Sequence, residues 1–264
     1  MNKKKDNFAQ ILKKYNYNLH AGDIVAGTVI HQENSGFLVN IGNKTAGYLP
    51  KEEISLVNSN RNKQNSNLVN TTREFFLIEQ NNKLKQSILS IKKLEYIRGW
   101  KRIKQFYLED IIFNLNIKYV NKGGIITYLE GIQSFIPKSK IYSKNENQAK
   151  YKTKNDSIKC KLLVANEQRN QLILSNKSAI LCLSLHKFKL GELLYGKITC
   201  IKPYGLFINI HEITALLHIS EIGSKYVKNI NIFFKLGKII KVKIIHIDTK
   251  QGRLSVSKRN IKNK

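Results

Sequence analysis

Five side chains near the C-terminal end have the types that recognise an unpaired, anionic polymer. Tyr204 and Phe207 are two rings separated by Gly205 and Leu206, His218 follows, and Asp248 and Arg253 flank a Gln251-Gly252 turn. Flat rings stack on unpaired bases for ~1–3 kcal/mol per base, and guanidinium or ammonium groups hold the phosphates. Lys202, Lys241 and Lys243 are the nearby lysines that would complete such a surface. Stacking asks only for a π-face, so a weak sequence preference is expected. Each residue type also has a structural role open to it: Phe207 in the core, His218 at a strand end, Asp248 capping a turn, Arg253 solvated. Catalytic constellations are not found. His211-Glu212 starts like the zinc motif His-Glu-x-x-His, but Ala215 stands where the second histidine is needed and His218 falls too late. Gly123-Gly124 lacks the flanks of a phosphate loop, and no Ser, His and acid arrangement suggests a nucleophile. We therefore expect no enzyme, no metal, no cofactor and no small-molecule substrate.

The elements that must position these groups lie within Gly191 to Lys258. Leu193 to Ile201, Leu206 to Ile210 and Ala215 to His218 are short β-rich runs punctuated by Pro, Gly or a polar pair. From Ile239 to Ile247, Ile240, Val242 and Ile244 alternate with Lys241 and Lys243, which gives a strand with one apolar and one basic face. Leu254 to Ser257 makes a fifth. Five short antiparallel strands with a longer connection between the third and fourth fit a small OB barrel, whose second and third strands form the usual nucleic-acid face.

The pattern GxxxxGxI, PYGLFINI, ALLHISEI, LGKIIKVKIIHID and GRLSVS resembles the RNA-binding domain named after small-subunit ribosomal protein one. The resemblance implies that Tyr204, Phe207, His218, Asp248 and Arg253 are the RNA-contacting set, with tyrosine in place of the commoner phenylalanine at the first aromatic.

Two worn copies of the same module precede it. AGDIVAGTVI, SGFLVNIG and TAGYLPKEEI match LGELLYGKIT, YGLFINIH and TALLHISEI. A more divergent copy runs through YLEDIIFNLNIKYVNKGGIITYLEGIQSFIPKSKI and SIKCKLLVANEQRNQLILSNK. Ser90, Ser175 and Ser257 line up, a period of about 80 to 90 residues that is too long for a solenoid unit and suits one barrel per repeat. The expected fold is mostly β: three tandem five-stranded OB-fold barrels joined by short helical linkers. Its divisions are a tail and helix at 1–19, a first barrel at 20–93, a linker helix at 94–107, a second barrel at 108–178, a linker at 179–190, the third barrel at 191–259 and a basic tail at 260–264. Phe8, Ile11, Leu12 and Tyr15 set the period of the first helix. Leu94, Ile97, Trp100, Ile103 and Phe106 form the stripe of the linker helix, where Trp100 is expected to pack rather than to stack a base. Asn58 to Asn70 and Ser143 to Asp156 read as surface loops. The site residues do not recur. Ser35 and Gly123 stand for Tyr204, Leu38 and Ile126 for Phe207, Pro50 and Pro137 for His218, Asn81 and Asn166 for Asp248, and Gln86 and Gln171 for Arg253. The first two barrels are thus expected to keep the scaffold and lose the stacking surface, binding phosphate through lysine or else a protein partner.

Charge points the same way. Against 18 Asp and Glu stand 46 Lys and Arg, a formal +28 that calls for a polyanion, and nucleic acid is the commonest one. No apolar run approaches the roughly 20 residues that span a bilayer, so no membrane partner is expected. Cys160, Cys182 and Cys200 are odd in number and lack metal-ligand spacing, as in a reducing compartment. Met1 to Asn7 is polar and Lys-rich, without the apolar core of a secretory leader. Over nearly its whole length the chain resembles the short three-barrel ribosomal proteins of cyanobacteria and plastids. That resemblance implies single-stranded messenger RNA, ribosomal RNA and small-subunit proteins as partners. With the Lys-, Asn- and Ile-rich usage of an AT-rich genome it implies the plastid stroma, the bacterial cytoplasm being the alternative.

Overall fold

Alternation writes the barrels residue by residue. In β15 (Ile239–Asp248) Ile240, Val242 and Ile244 are buried while Lys243 and Ile245 are exposed, so every second side chain enters the core. This computed structural model describes residues 19–43, 45–56, 68–81, 86–142, 156–223 and 230–261. The expected N-terminal helix, positions 58–67 of the Asn-rich stretch and most of the 143–156 loop lie outside those residues.

The first barrel comprises β1 (Ile24–Gln32), β2 (Gly36–Asn40), β3 (Gly47–Pro50), β4 (Thr72–Asn81) and β5 (Gln86–Ser90), closed in the order β1-β2-β3-β5-β4. The third, of β12 (Leu193–Lys202), β13 (Gly205–Ile210), β14 (Ile213–His218), β15 and β16 (Arg253–Ser257), closes in the same order, β12-β13-β14-β16-β15. In each, one parallel pair, β3 with β5 or β14 with β16, completes an otherwise antiparallel circuit. The third barrel's core is aliphatic, with Ile198, Leu206, Ile208, Leu217, Val242 and Val256 all but inaccessible. Its β13–β14 hairpin turns at His211 and Glu212, both at positive φ, so the pair that only begins like a zinc motif is a tight turn between strands.

The second barrel differs in one place. Its first strand is divided into β6 (Ile112–Asn116) and β7 (Tyr119–Asn121). With β8 (Gly124–Leu129), β9 (Ile132–Pro137), β10 (Ser157–Asn166) and β11 (Gln171–Ser175) they order as β6-β10-β11-β9-β8-β7, the two halves standing at the two ends. The register supplies the reason. Ile112 pairs with Lys161 as Leu193 pairs with Lys243, which puts Leu115 where the third barrel has Gly196 and the first has Gly27. A Cβ there would lie 2.3 Å from Ile208 Cγ2 in the third barrel and 2.7 Å from Val39 Cγ1 in the first, so strands meet across a bare glycine. Leu115 cannot be accommodated that way, and the strand breaks just after it. The neighbour has shrunk in step: Thr127 replaces Ile208, and its hydroxyl donates to the Asn116 carbonyl at 2.9 Å.

Helices join the barrels. The serine that ends each of the first two barrels becomes the cap of the next helix, Ser90 Oγ accepting from Lys93 N at 2.8 Å and Ser175 Oγ from Ser178 N at 3.1 Å. The first, α1 (Ile91–Leu108), buries Leu94, Trp100 and Ile103; Trp100 is 1% exposed and packs as expected. The second, α2 (Asn176–Leu183), lies where a linker from 179 was expected, and its Leu181 belongs to the third barrel's core. A one-turn α3 (Ile230–Phe233) precedes β15.

Candidate nucleic-acid interface

The aromatic pair is set by the turn between β12 and β13. Gly205 lies so close to β14 that a Cβ on it would be 2.3 Å from the Leu217 carbonyl oxygen. The preceding residue is exposed, and Tyr204 keeps 49% of its surface. Phe207 is half-buried on the outward side of β13, between the core residues Leu206 and Ile208. The rings meet edge to face, centroids 6.2 Å apart at 90°, a favourable aromatic geometry that leaves part of each ring for a ligand. Along the outside of the barrel Phe207 pairs with Leu216, and Leu216 with Ser255, so the platform runs across β13, β14 and β16.

His218 is exposed at the end of β14, paired with Gly205 beside the rings, and the Ile219 amide donates to the Tyr204 carbonyl at 2.9 Å. Its Nδ1 accepts from the Ser220 amide at 3.3 Å and lies 2.8 Å from Ser220 Oγ, so the neutral ring carries its proton on Nε2, a donor for a ligand. Asp248 pairs with Arg253 in the ladder, and its carboxylate accepts from the Gln251 amide at 2.9 Å, which shapes the turn that presents Arg253. Arg253 is exposed, and with Tyr204 and Phe207 it lines a cavity of about 490 Å³. Lys202 is exposed and pairs with Gly205, at the Tyr204 end of the face. The remaining two lysines are not brought there. Lys241 pairs with Tyr195, its Nζ 5.8 Å from that ring, and Lys243 pairs with Leu193. Both lie on the β12–β15 ladder in the half of β15 remote from Asp248. Alternation marks a side chain as outward without saying which part of a closed barrel it faces.

Sequence reasoning missed the part of the cavity that lies outside the third barrel's strands. Lys140, Tyr142 and Lys177 come from the second barrel and the start of α2. Lys140 Nζ donates to Gln251 Oε1 at 2.7 Å. Its pKa is held below the ordinary lysine value by burial and by the neighbouring Arg253, with Asp248 pulling the other way. Among the described residues no group of three or more His, Cys, Asp or Glu could hold a metal.

The register confirms the positions compared across the repeats and corrects one expectation. In the first two barrels the ring has moved one strand over rather than vanished. Tyr48 occupies the place of Leu216, and Phe135 that of the same residue in the second barrel. A Cβ on Gly36 would lie 2.7 Å from the Tyr48 ring, and one on Gly124 2.9 Å from that of Phe135. Both rings cover a glycine, and the Tyr48 hydroxyl donates to Ser35 Oγ at 2.6 Å.

Comparison with known proteins gives a consistent result. The S1 RNA binding domain family matches residues 18–92, 112–177 and 187–259. The chain is 47% identical over 258 residues to small ribosomal subunit protein bS1c of Porphyra purpurea, covering 97% of this chain and 96% of that one. It is 37% identical over 256 residues to bS1A of a Synechocystis strain, covering 97% of this chain and 77% of the other. It is 32% identical over 257 residues to bS1c of Spinacia oleracea, whose length it covers to 61%.

Proposed function

Because the chain belongs to the small ribosomal subunit protein bS1 family, with three S1 RNA-binding domains, we propose that its third barrel captures single-stranded messenger RNA for the small subunit. The protein is a ribosomal component that supports translation initiation. Lysine-rich surfaces draw in the phosphate backbone, with the strong salt dependence of counterion release. Tyr204 and Phe207 stack on splayed bases, and His218 and Arg253 offer donors to base edges and phosphates. The first two barrels, without those rings, tie the protein to ribosomal RNA and small-subunit proteins, and tethering makes their weak contacts add to those of the third. The plastid stroma is the compartment we assign, in keeping with the plastid-type relatives and the Lys-, Asn- and Ile-rich usage.

One observation carries this reading: the edge-to-face Tyr204–Phe207 pair beside Arg253 on an open face. The test gives the third barrel the first barrel's residues, Tyr204→Ser with Phe207→Leu. Affinity for a pyrimidine-rich oligonucleotide, followed by fluorescence anisotropy, should fall roughly thirty- to thousandfold while thermal unfolding is little changed. Unchanged affinity would reject the site. Co-sedimentation with small ribosomal subunits at low and high salt then separates a ribosomal component from a free RNA-processing factor.

A further inference from the structure

The face of the third barrel is not the whole of the cavity. We propose that the second barrel supplies the opposite wall of the RNA site, so that one nucleotide of the strand is held between two barrels. The base lies against Tyr204 and Phe207, and the phosphate among Arg253, Lys140 and Lys177. This deepens the reading of the third barrel as RNA-binding and rests on it.

Size and charge agree with that occupant. The cavity, about 490 Å³, falls within the ~300–1,000 Å³ of clefts that enclose small ligands. Among the described residues its lining includes Lys140, Lys177 and Arg253 and no Asp or Glu. Burial first and the neighbouring Arg253 second hold the Lys140 pKa low, with Asp248 offsetting part of the shift, and an anion placed between Lys140 and Arg253 favours both charged forms.

The wall is also firmly built. The β15–β16 turn sits on α2: Ser178 Oγ donates to the Thr249 carbonyl, and a Cβ on Gly252 would lie 2.5 Å from the Ser178 amide nitrogen. Lys140 Nζ reaches Gln251 of the same turn, and Leu181 of α2 is part of the third barrel's core. A site whose two walls are fixed in advance loses less entropy on binding.

Comparison among the copies singles out Lys140. Each barrel follows its third strand with a 3-10 turn, Lys51–Glu53, Lys138–Lys140 and Ile219–Glu221. The last residue of that turn is Glu53 in the first barrel and Glu221 in the third. Both carboxylates bind inside their own module, Glu53 to Ser90 and Lys92, Glu221 to Arg259. In the second barrel the charge is inverted, and the side chain crosses to the neighbouring barrel. The barrel without counterparts of Tyr204 and Phe207 thus lends a cation to the one that has them.

The test uses the full chain and a fluorescein-labelled oligo-uridylate titrated over a range of salt. Lys140→Gln with Lys177→Gln should bind roughly five- to thirtyfold more weakly at about 0.1 M salt, with a log–log salt slope shallower by up to about 0.7, since one phosphate is held there and each single-strand phosphate contact contributes about 0.7. Lys140→Arg with Lys177→Arg should keep both quantities close to the parent. A Gln pair that leaves affinity and slope unaltered overturns the proposal. So does one that weakens binding at constant slope, which would mean that the lysines only brace the barrels, and so does an Arg pair as weak as the Gln pair. Tyr204→Ser with Phe207→Leu, run alongside, separates the two levels. If that variant loses affinity and the Gln pair does not, only the shared wall is wrong; if it does not, the third-barrel reading fails and takes this one with it.

Discussion

The first and third barrels have the same strand order, the same bulges in the first and fourth strands and the same terminal serine, yet their outer faces have little in common. Where the third presents Tyr204, Phe207, His218 and Arg253, the first has Ser35, Leu38, Pro50 and Gln86. The inward residues that alternate with them, Phe37 and Val39 against Leu206 and Ile208, are buried in both. A strand's two faces answer to different demands, so one can be rewritten while the other keeps the fold. Tyr48 shows that the presence of a ring is not enough. It covers Gly36 and spends its hydroxyl on Ser35, whereas Tyr204 stands at a turn with half its surface free.

The largest expected effect tests that contrast directly. Losing both rings through Tyr204→Ser and Phe207→Leu should cost about 2–4 kcal/mol of RNA binding, from two stacks at ~1–3 kcal/mol each. Tyr48→Ala should cost the first barrel stability and leave RNA affinity within about twofold, a difference near the RT scale. Comparable losses from both would erase the distinction between the barrels. A smaller effect sharpens the contrast with the second barrel. Gly196→Ala sets a Cβ against Ile208 and should destabilise the third barrel by ~1–3 kcal/mol, as overpacking does. Adding Ile208→Thr, the residue the second barrel uses at that place, should recover part of the loss. Denaturant unfolding reads both, and no recovery would sever Leu115 from Thr127 as cause and compensation. Smaller again is the converse graft: Ser35→Tyr and Leu38→Phe should raise RNA affinity a few-fold only when Tyr48→Leu clears the adjoining strand.

How much of this was legible follows from the range of the interactions. The strands of the third barrel could be read almost to the residue, because the β period is local and Gly205 and Gly252 punctuate it. The pairing of Tyr204 with Phe207 could be read for the same reason, both lying on one strand and the turn before it. The split of β6 from β7 could not, since it depends on what Leu115 meets across the sheet. Nor could α2: its eight residues are too few to show a helical period, and with Ala179 and Leu181 fully buried it lacks a polar face of ordinary width. Lys140 was hidden most completely. Nothing within the run Pro137 to Lys140 marks one lysine for a neighbouring barrel; only the docking of the β15–β16 turn does.

That docking makes the smallest effect the most specific one. In the unbound protein, burial and Arg253 on β16 hold the Lys140 pKa low, and Asp248 on β15 offsets part of the shift. A phosphate placed beside the ammonium favours its charged form and moves the pKa back up. The bound state then carries more protons than the free one, so binding takes up protons, and affinity declines as pH rises through the lowered pKa of the free protein. The decline should begin below the range in which an unperturbed lysine side chain discharges. Titration calorimetry in buffers of different ionisation enthalpy measures the uptake. Lys140→Arg should abolish that component, because a guanidinium keeps its proton throughout the accessible range. If the uptake persists in that variant, the titrating group is not the one at the junction of the two barrels, and the second barrel's face returns to the neutral role of the first's.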